Sequence, residues 1–121
     1  MADVATVVER YIAMWNETDP ERRRSIIAEA WTDDATYLDP GMAGDGPDGI
    51  DAMVAGVQER FPGHRFELSA GPDAHHDRVR FGWQLFAPNG GGALAAGVDF
   101  ATLADDGRLR DVTGFLEPAA A

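Results

Sequence analysis

Cysteine is missing altogether from the 121 residues. Its absence excludes a disulfide framework and all thiol chemistry, and it suits a reducing, cytoplasmic setting. Positive charge is scarce: ten basic residues stand against 21 acidic ones, a formal net charge of −11. Such a chain repels nucleic acid and anionic membrane surfaces, so neither is expected as a partner. The one basic cluster, Arg22-Arg23-Arg24, is expected on the wet face of a helix. Long apolar runs are also lacking, and the least polar stretch is broken at Pro88-Asn89-Gly90-Gly91-Gly92, so no span of the ~20 residues a membrane requires is present. The start, MADVATVVER, carries Asp3 and no basic lead into an apolar run, so it does not read as a signal peptide. His75 and His76 are adjacent, without HxH or HxxxH spacing. They read as a wet turn, and neither a metal site nor a cofactor is expected. Gly90-Gly91-Gly92 is followed by no lysine, and neither Ser25 nor Ser69 lies in a nucleophile elbow.

What is present reads as one domain over residues 1–118, with Ala119–Ala121 as a frayed tail. Val4, Val8, Tyr11, Ile12 and Trp15 recur at three- and four-residue spacing, a first amphipathic helix ending near Asn16. Asp19-Pro20-Glu21 opens a second helix as cap, first-turn proline and first-turn acid, with Ile26, Ile27, Ala30 and Trp31 facing inward. Ala35–Leu38 reads as a short strand, and Met42–Asp48 as a loop at the mouth of a cavity. Ile50, Met53, Val54, Val57 and Phe61 mark a third helix that Pro62-Gly63 stops. The period then changes to two. Strands are expected at His64–Ala70, Arg78–Ala87, Ala93–Leu103 and Arg108–Leu116, with turns at Gly71-Pro72-Asp73, Pro88–Gly92 and Asp105-Asp106-Gly107. Helices followed by a meander of antiparallel strands make an α+β layout, helices on one face of a curved sheet.

One strand stands out chemically. Within Gly92–Leu103, GALAAGVDFATL, Asp99 is the only ionisable residue. On a strand, Gly97, Asp99 and Ala101 share a face, and the small neighbours leave open space around the carboxyl group. Two readings stay open: a carboxylate facing water from a half-exposed strand, or the floor of a pocket, where burial favours its neutral form. Tyr11, on the apolar stripe of the first helix, needs a partner for its hydroxyl.

The order of elements resembles the cone-shaped fold of the nuclear-transport-factor-2-like superfamily, and especially its SnoaL-like branch. The resemblance rests on Tyr11-Ile12-Ala13-Met14-Trp15-Asn16, Trp31-Thr32-Asp33-Asp34-Ala35-Thr36-Tyr37, Asp39-Pro40 and Gly49-Ile50. It rests equally on Phe61-Pro62-Gly63, Gly97-Val98-Asp99-Phe100, Asp106-Gly107-Arg108 and Gly114-Phe115. Within the superfamily, the pattern Tyr11, Asp39 and Asp99 is similar to that of bacterial ketosteroid isomerases. The resemblance implies Asp39 as the base that moves a proton, with Tyr11 and a protonated Asp99 holding the enolate oxygen. It also has departures: a longer connection from Tyr11 to Asp39, and only Tyr37 as a further tyrosine. Polyketide cyclases of the SnoaL type imply one acid–base aspartate, a role open to Asp99. Epoxide hydrolases of this fold imply an arginine between two aspartates, which Gly97 does not supply and Arg78 or Arg80 would have to.

The expectation is therefore a cone-like α+β domain whose cavity is lined by Tyr11, Trp15, Trp31, Asp39, Met53, Val57, Trp83 and Asp99. It would bind a small, largely apolar molecule and act on it by acid–base isomerisation or cyclisation. A ligand-binding or protein-interaction domain without chemistry is the alternative. A homodimer is expected through the outer sheet face, where Val98, Phe100 and Leu109 would lie.

Overall fold

The computed structural model describes residues 3–117; the Ala119–Ala121 tail lies outside the described residues. Three helices, α1 (Val4–Asn16), α2 (Pro20–Ala30) and α3 (Gly46–Arg60), pack on a six-stranded sheet. The strands are β1 (Trp31–Leu38), β2 (Ala43–Asp45), β3 (Arg65–His75), β4 (Arg78–Phe86), β5 (Ala95–Leu103) and β6 (Leu109–Glu117). Their order is β2-β1-β6-β5-β4-β3. Every neighbouring pair is antiparallel except β1–β6, which is parallel, so the expected antiparallel sheet is a mixed one. No helix is long and apolar enough to cross a membrane among the described residues.

The helices begin where side chains can satisfy their free N–H groups. Asp3 accepts from the Thr6 N–H at 2.8 Å, and Asp19 accepts from the Arg22 N–H at 2.9 Å with Pro20 in the first turn. α1 buries Val7, Val8, Tyr11, Met14 and Trp15; of the expected stripe Val8, Tyr11 and Trp15 are buried, Val4 and Ile12 are half-buried at its edge, and Val7 and Met14 join it. α2 stops at Ala30. Trp31, expected as its last inward residue, has extended backbone and opens β1 instead, with its indole wholly buried.

Two expected connections are regular structure. The loop over Met42–Asp48 contains β2, paired with β1 through Tyr37 and Gly44, and α3 begins at Gly46. Pro47 suits a helix's first turn, where its missing N–H has no partner to lose. The turn expected at Gly71-Pro72-Asp73 is part of β3, which runs on to His75 with register shifts on either side of Ala70. β3 is an edge strand, where a bulge accommodates a proline that cannot donate to the ladder. The chain reverses instead at His76-Asp77, with both histidines exposed as a wet turn requires.

Arg23 departs from the wet face expected of its cluster. It is buried, and its Nε lies 2.6 Å from Asp51 on α3. Its Nη1 donates to the Glu17 carbonyl and to Gln58 Oε1, while Gln58 Nε2 donates to the carbonyls of Trp15 and Glu17. This network ties the end of α1 to α2 and α3. Leu109, expected on the outer sheet face, is fully buried in the core, because a register shift between Leu109 and Asp111 breaks the alternation that would have set it beside Phe115. The outer face instead presents Phe100 and Phe115, edge to face at 5.8 Å and both about half exposed.

Candidate functional site

Alternation along β5 turns Gly97, Asp99 and Ala101 to the helix-covered face, and Asp99 is only 2% exposed. Its carboxyl group is gripped at both oxygens. The Tyr11 hydroxyl donates to Oδ2 at 2.7 Å, and the Trp83 indole N–H donates to Oδ1 at 3.1 Å. α1 supplies the first donor and β4 the second.

Glycines make this packing possible, though not by leaving a void. The space beside Gly97 is filled by the Trp83 ring; a Cβ there would collide with the indole and come within 2.7 Å of the Phe115 carbonyl. Gly114 pairs with Asp99 across the β5–β6 ladder. A Cβ on Gly114 would lie 2.8 Å from Asp99 Oδ1 and 3.2 Å from the Tyr37 hydroxyl.

The second carboxylate follows β1. The Tyr37 hydroxyl donates to Asp39 Oδ2 at 2.7 Å, and the Gly41 and Met42 N–H groups each donate to Oδ1 at 2.8 Å. Tyr37 and Asp39 are two residues apart on an extended segment, so both reach the same side.

Both carboxylates open onto one cavity of about 260 Å³ between the helices and the sheet. Its deep end is polar, with Tyr11, Tyr37, Asp99 and the half-buried Asp39. Its walls are Trp15, Val57, Phe66, Trp83 and Leu85, and its mouth is ringed by the exposed Gly41, Arg60, Phe61 and Leu116. Larger hollows of about 450 and 480 Å³ lie on the outer sheet face. They run beside the Arg80–Asp73 ion pair, and neither is reached by Tyr11, Asp39 or Asp99.

Burial raises the Asp99 carboxyl to about 6; the hydrogen bonds from Tyr11 and Trp83 restrain the rise, and the charge of Asp39 adds to it. The Asp99 proton is thereby brought within reach of neutral pH. Burial also pushes both tyrosine hydroxyls up, Tyr11 further under the charge of Asp99 and Tyr37 further through its bond to Asp39. Both stay protonated as donors.

Of the residues singled out in the sequence, Tyr11, Trp15, Asp39, Val57, Trp83 and Asp99 meet at this cavity. Trp31 and Met53 do not line it; they lie in the solid core, Trp31 with its ring 5.8 Å from that of Tyr11 and its N–H directed to the Met14 sulfur. Arg78 and Arg80 do not enter either, being exposed and paired with Asp77 and Asp73. The arginine that an epoxide-opening site requires is therefore missing from between the carboxylates. Among the described residues, no cluster of three or more His, Asp or Glu is placed to hold a metal ion. Sequence reasoning passed over Tyr37, Phe66 and Arg60. Tyr37 was detectable from its two-residue spacing to Asp39, and Phe66 from the alternation of β3.

A family model described as a SnoaL-like domain matches residues 8–112. A SnoaL-like-family protein from Agrobacterium tumefaciens str. C58, provisionally named an isomerase, has 42% identical residues and a TM-score of 0.89, covering 94% of this chain and 97% of that one. An NTF2-like protein of unknown function from Exiguobacterium sp. 255-15 is 19% identical with a TM-score of 0.72, over 93% of this chain and 99% of its own. A protein from Jannaschia sp. CCS1, provisionally named a SnoaL-like polyketide cyclase, is 20% identical with a TM-score of 0.70, over 93% and 86%. No curated protein matches the chain at a significant level.

Proposed function

The chain belongs to the SnoaL-like domain family, and from that premise we propose that it binds a small, largely apolar carbonyl compound and moves a proton on it. The observation that carries this reading is the convergence of two differently housed carboxyl groups on one apolar cavity. Asp39 has backbone and tyrosine donors and partial access to water; Asp99 is buried and poised near 6. Two carboxyl groups in such different surroundings can divide the work of acid and base.

Asp39 is the base, taking the proton from the carbon next to the carbonyl and returning it to another carbon in an isomerisation. The developing enolate oxygen is met by Tyr11. When Asp99 holds a proton it donates to the Tyr11 oxygen across their 2.7 Å contact, which frees the Tyr11 O–H to turn to the ligand. A volume of about 260 Å³ lies at the small end for ligand pockets and suits a molecule of one or two rings. The chain also forms a homodimer, covering the Phe100–Phe115 patch of the outer sheet face.

A thermal-shift screen of cyclic ketones, enones and polyketide-like phenols identifies binders, since a ligand of the folded state raises its midpoint. Proton NMR in deuterium oxide then follows exchange next to the carbonyl. Wild type is expected to exchange it, and Asp39→Asn to bind without exchanging, because an amide is no base. Bound ketones that never exchange would overturn the catalytic reading.

That outcome is the one expected of a non-catalytic binding domain, a second reading with an observation of its own. The Asp39 oxygens are engaged by three donors of their own segment, which is also how an aspartate holds a loop closed.

A further inference from the structure

All ten basic residues of the chain are arginines. Among the described residues seven of them lie within ion-pair distance of a carboxylate, which leaves Arg22, Arg60 and Arg110. Only Arg60 of these three lines the cavity, at its mouth beside the exposed Phe61 and Leu116. Its place in the last turn of α3 suits the negative end of the helix dipole. The dipole alone does not call for a guanidinium with no carboxylate partner at an apolar opening, in a chain with twice as many acids as bases.

We propose that the ligand is an organic carboxylate, an apolar body of one or two rings whose anionic end rests on Arg60 at the mouth. This deepens the preceding reading and depends on the cavity being a binding site. The planar guanidinium fork matches a carboxylate with two parallel hydrogen bonds. A phosphate ester would bring more charge into the field of a −11 protein with a single cation to meet it.

The charge pattern also sets the direction of entry. Asp39 and Asp99 at the deep end repel an anion, while the Tyr11 hydroxyl beside them favours a carbonyl oxygen. The apolar body therefore goes in first, between Trp15, Val57 and Trp83, with its reacting carbonyl deep and its carboxylate outside. Arg60 is thus a residue of specificity and orientation, remote from the reacting atoms.

Isothermal titration calorimetry with naphthylacetate and its neutral amide tests the proposal on wild type and on Arg60→Gln. Arg60 is exposed, so the variant keeps the fold. Wild type is expected to bind the carboxylate more tightly than the amide, and added salt to narrow the gap. Arg60→Gln is expected to weaken the carboxylate on the order of tenfold and to leave the amide unchanged. Equal affinity of wild type for both probes, or an equal loss of both in the variant, would overturn the role of Arg60 while sparing the cavity as a binding site. Binding of neither probe to wild type would overturn the cavity reading and the proposal with it.

Discussion

Replacing Asp99 with asparagine separates the cost of a buried charge from the value of its hydrogen bonds. The folded carboxyl titrates at about 6, roughly two units above an ordinary aspartate, and each unit is worth about 1.4 kcal/mol. A raised folded-state value means that the neutral form favours the fold. The contribution of Asp99 is therefore fully present below about pH 4 and is lost as pH climbs through about 6, a total of roughly 3 kcal/mol. About 1.4 kcal/mol of that falls between pH 5 and pH 8, a window that avoids poor solubility near the pI of about 4.4. Asparagine does not ionise, so the variant lacks this slope. Its bonding is also determined. The Trp83 indole can only donate, so the amide oxygen must face it and the NH₂ must face Tyr11, whose hydroxyl turns to accept. Urea unfolding of both proteins across pH 5 to 8 gives the difference in stability, from which the other titrating groups cancel. The variant should gain on wild type by about 1.4 kcal/mol over that range. Parallel curves would refute the reasoning and leave Asp99 an ordinary aspartate.

Gly97→Ala should drive the Trp83 ring off β5, costing about 1–3 kcal/mol and changing tryptophan fluorescence as the bond to Asp99 is lost. Asp51→Ala strands the buried Arg23 guanidinium and should cost about 3 kcal/mol or more in urea melts; a loss below about half that would mean the Glu17 carbonyl, Gln58 and water already satisfy the guanidinium. Phe100→Asp with Phe115→Asp should turn the expected dimer into a monomer in sedimentation, with ligand binding kept; a wild type that sediments as a monomer removes the dimer.

The elements were legible wherever one face of a segment is buried and the other is wet. α1, α3 and β4 each carry an unbroken apolar period, and the structure places them within a few residues of where the period does. Legibility failed where local chemistry and tertiary pairing compete. Gly71-Pro72-Asp73 has the composition of a turn, yet pairing with β4 on both sides carries β3 through it as a bulge. Arg22-Arg23-Arg24 has the composition of a solvated face, yet Arg23 shares a helical stripe with Ile27 and Ala30, and all three are buried. That i, i+4, i+7 spacing was in the sequence and outweighs the charge, because Asp51 on α3 compensates it.

The site shows a sharper limit. Period two on β5 was enough to set Asp99 on the opposite face from Val98 and Phe100, though not to choose which face is inward, and the stripe on α1 was enough to bring Tyr11 over the sheet. Neither could reveal how many donors would meet the carboxyl group, since those come from other elements. Gly97 illustrates why. As a small residue beside a carboxylate it reads as open space in a pocket floor, where burial implies a neutral acid. In the fold that space admits an indole from β4, and the indole N–H becomes a second donor to Asp99. A donor to the carboxylate lowers its proton affinity, so the residue expected to be neutral is held near 6 instead. The consequence is functional. An acid far above neutrality could only donate, whereas one near 6 changes its proton state at physiological pH and with it the direction of the Tyr11 hydroxyl. The glycine read as room for a ligand thus helps set the proton balance of the site that would act on one.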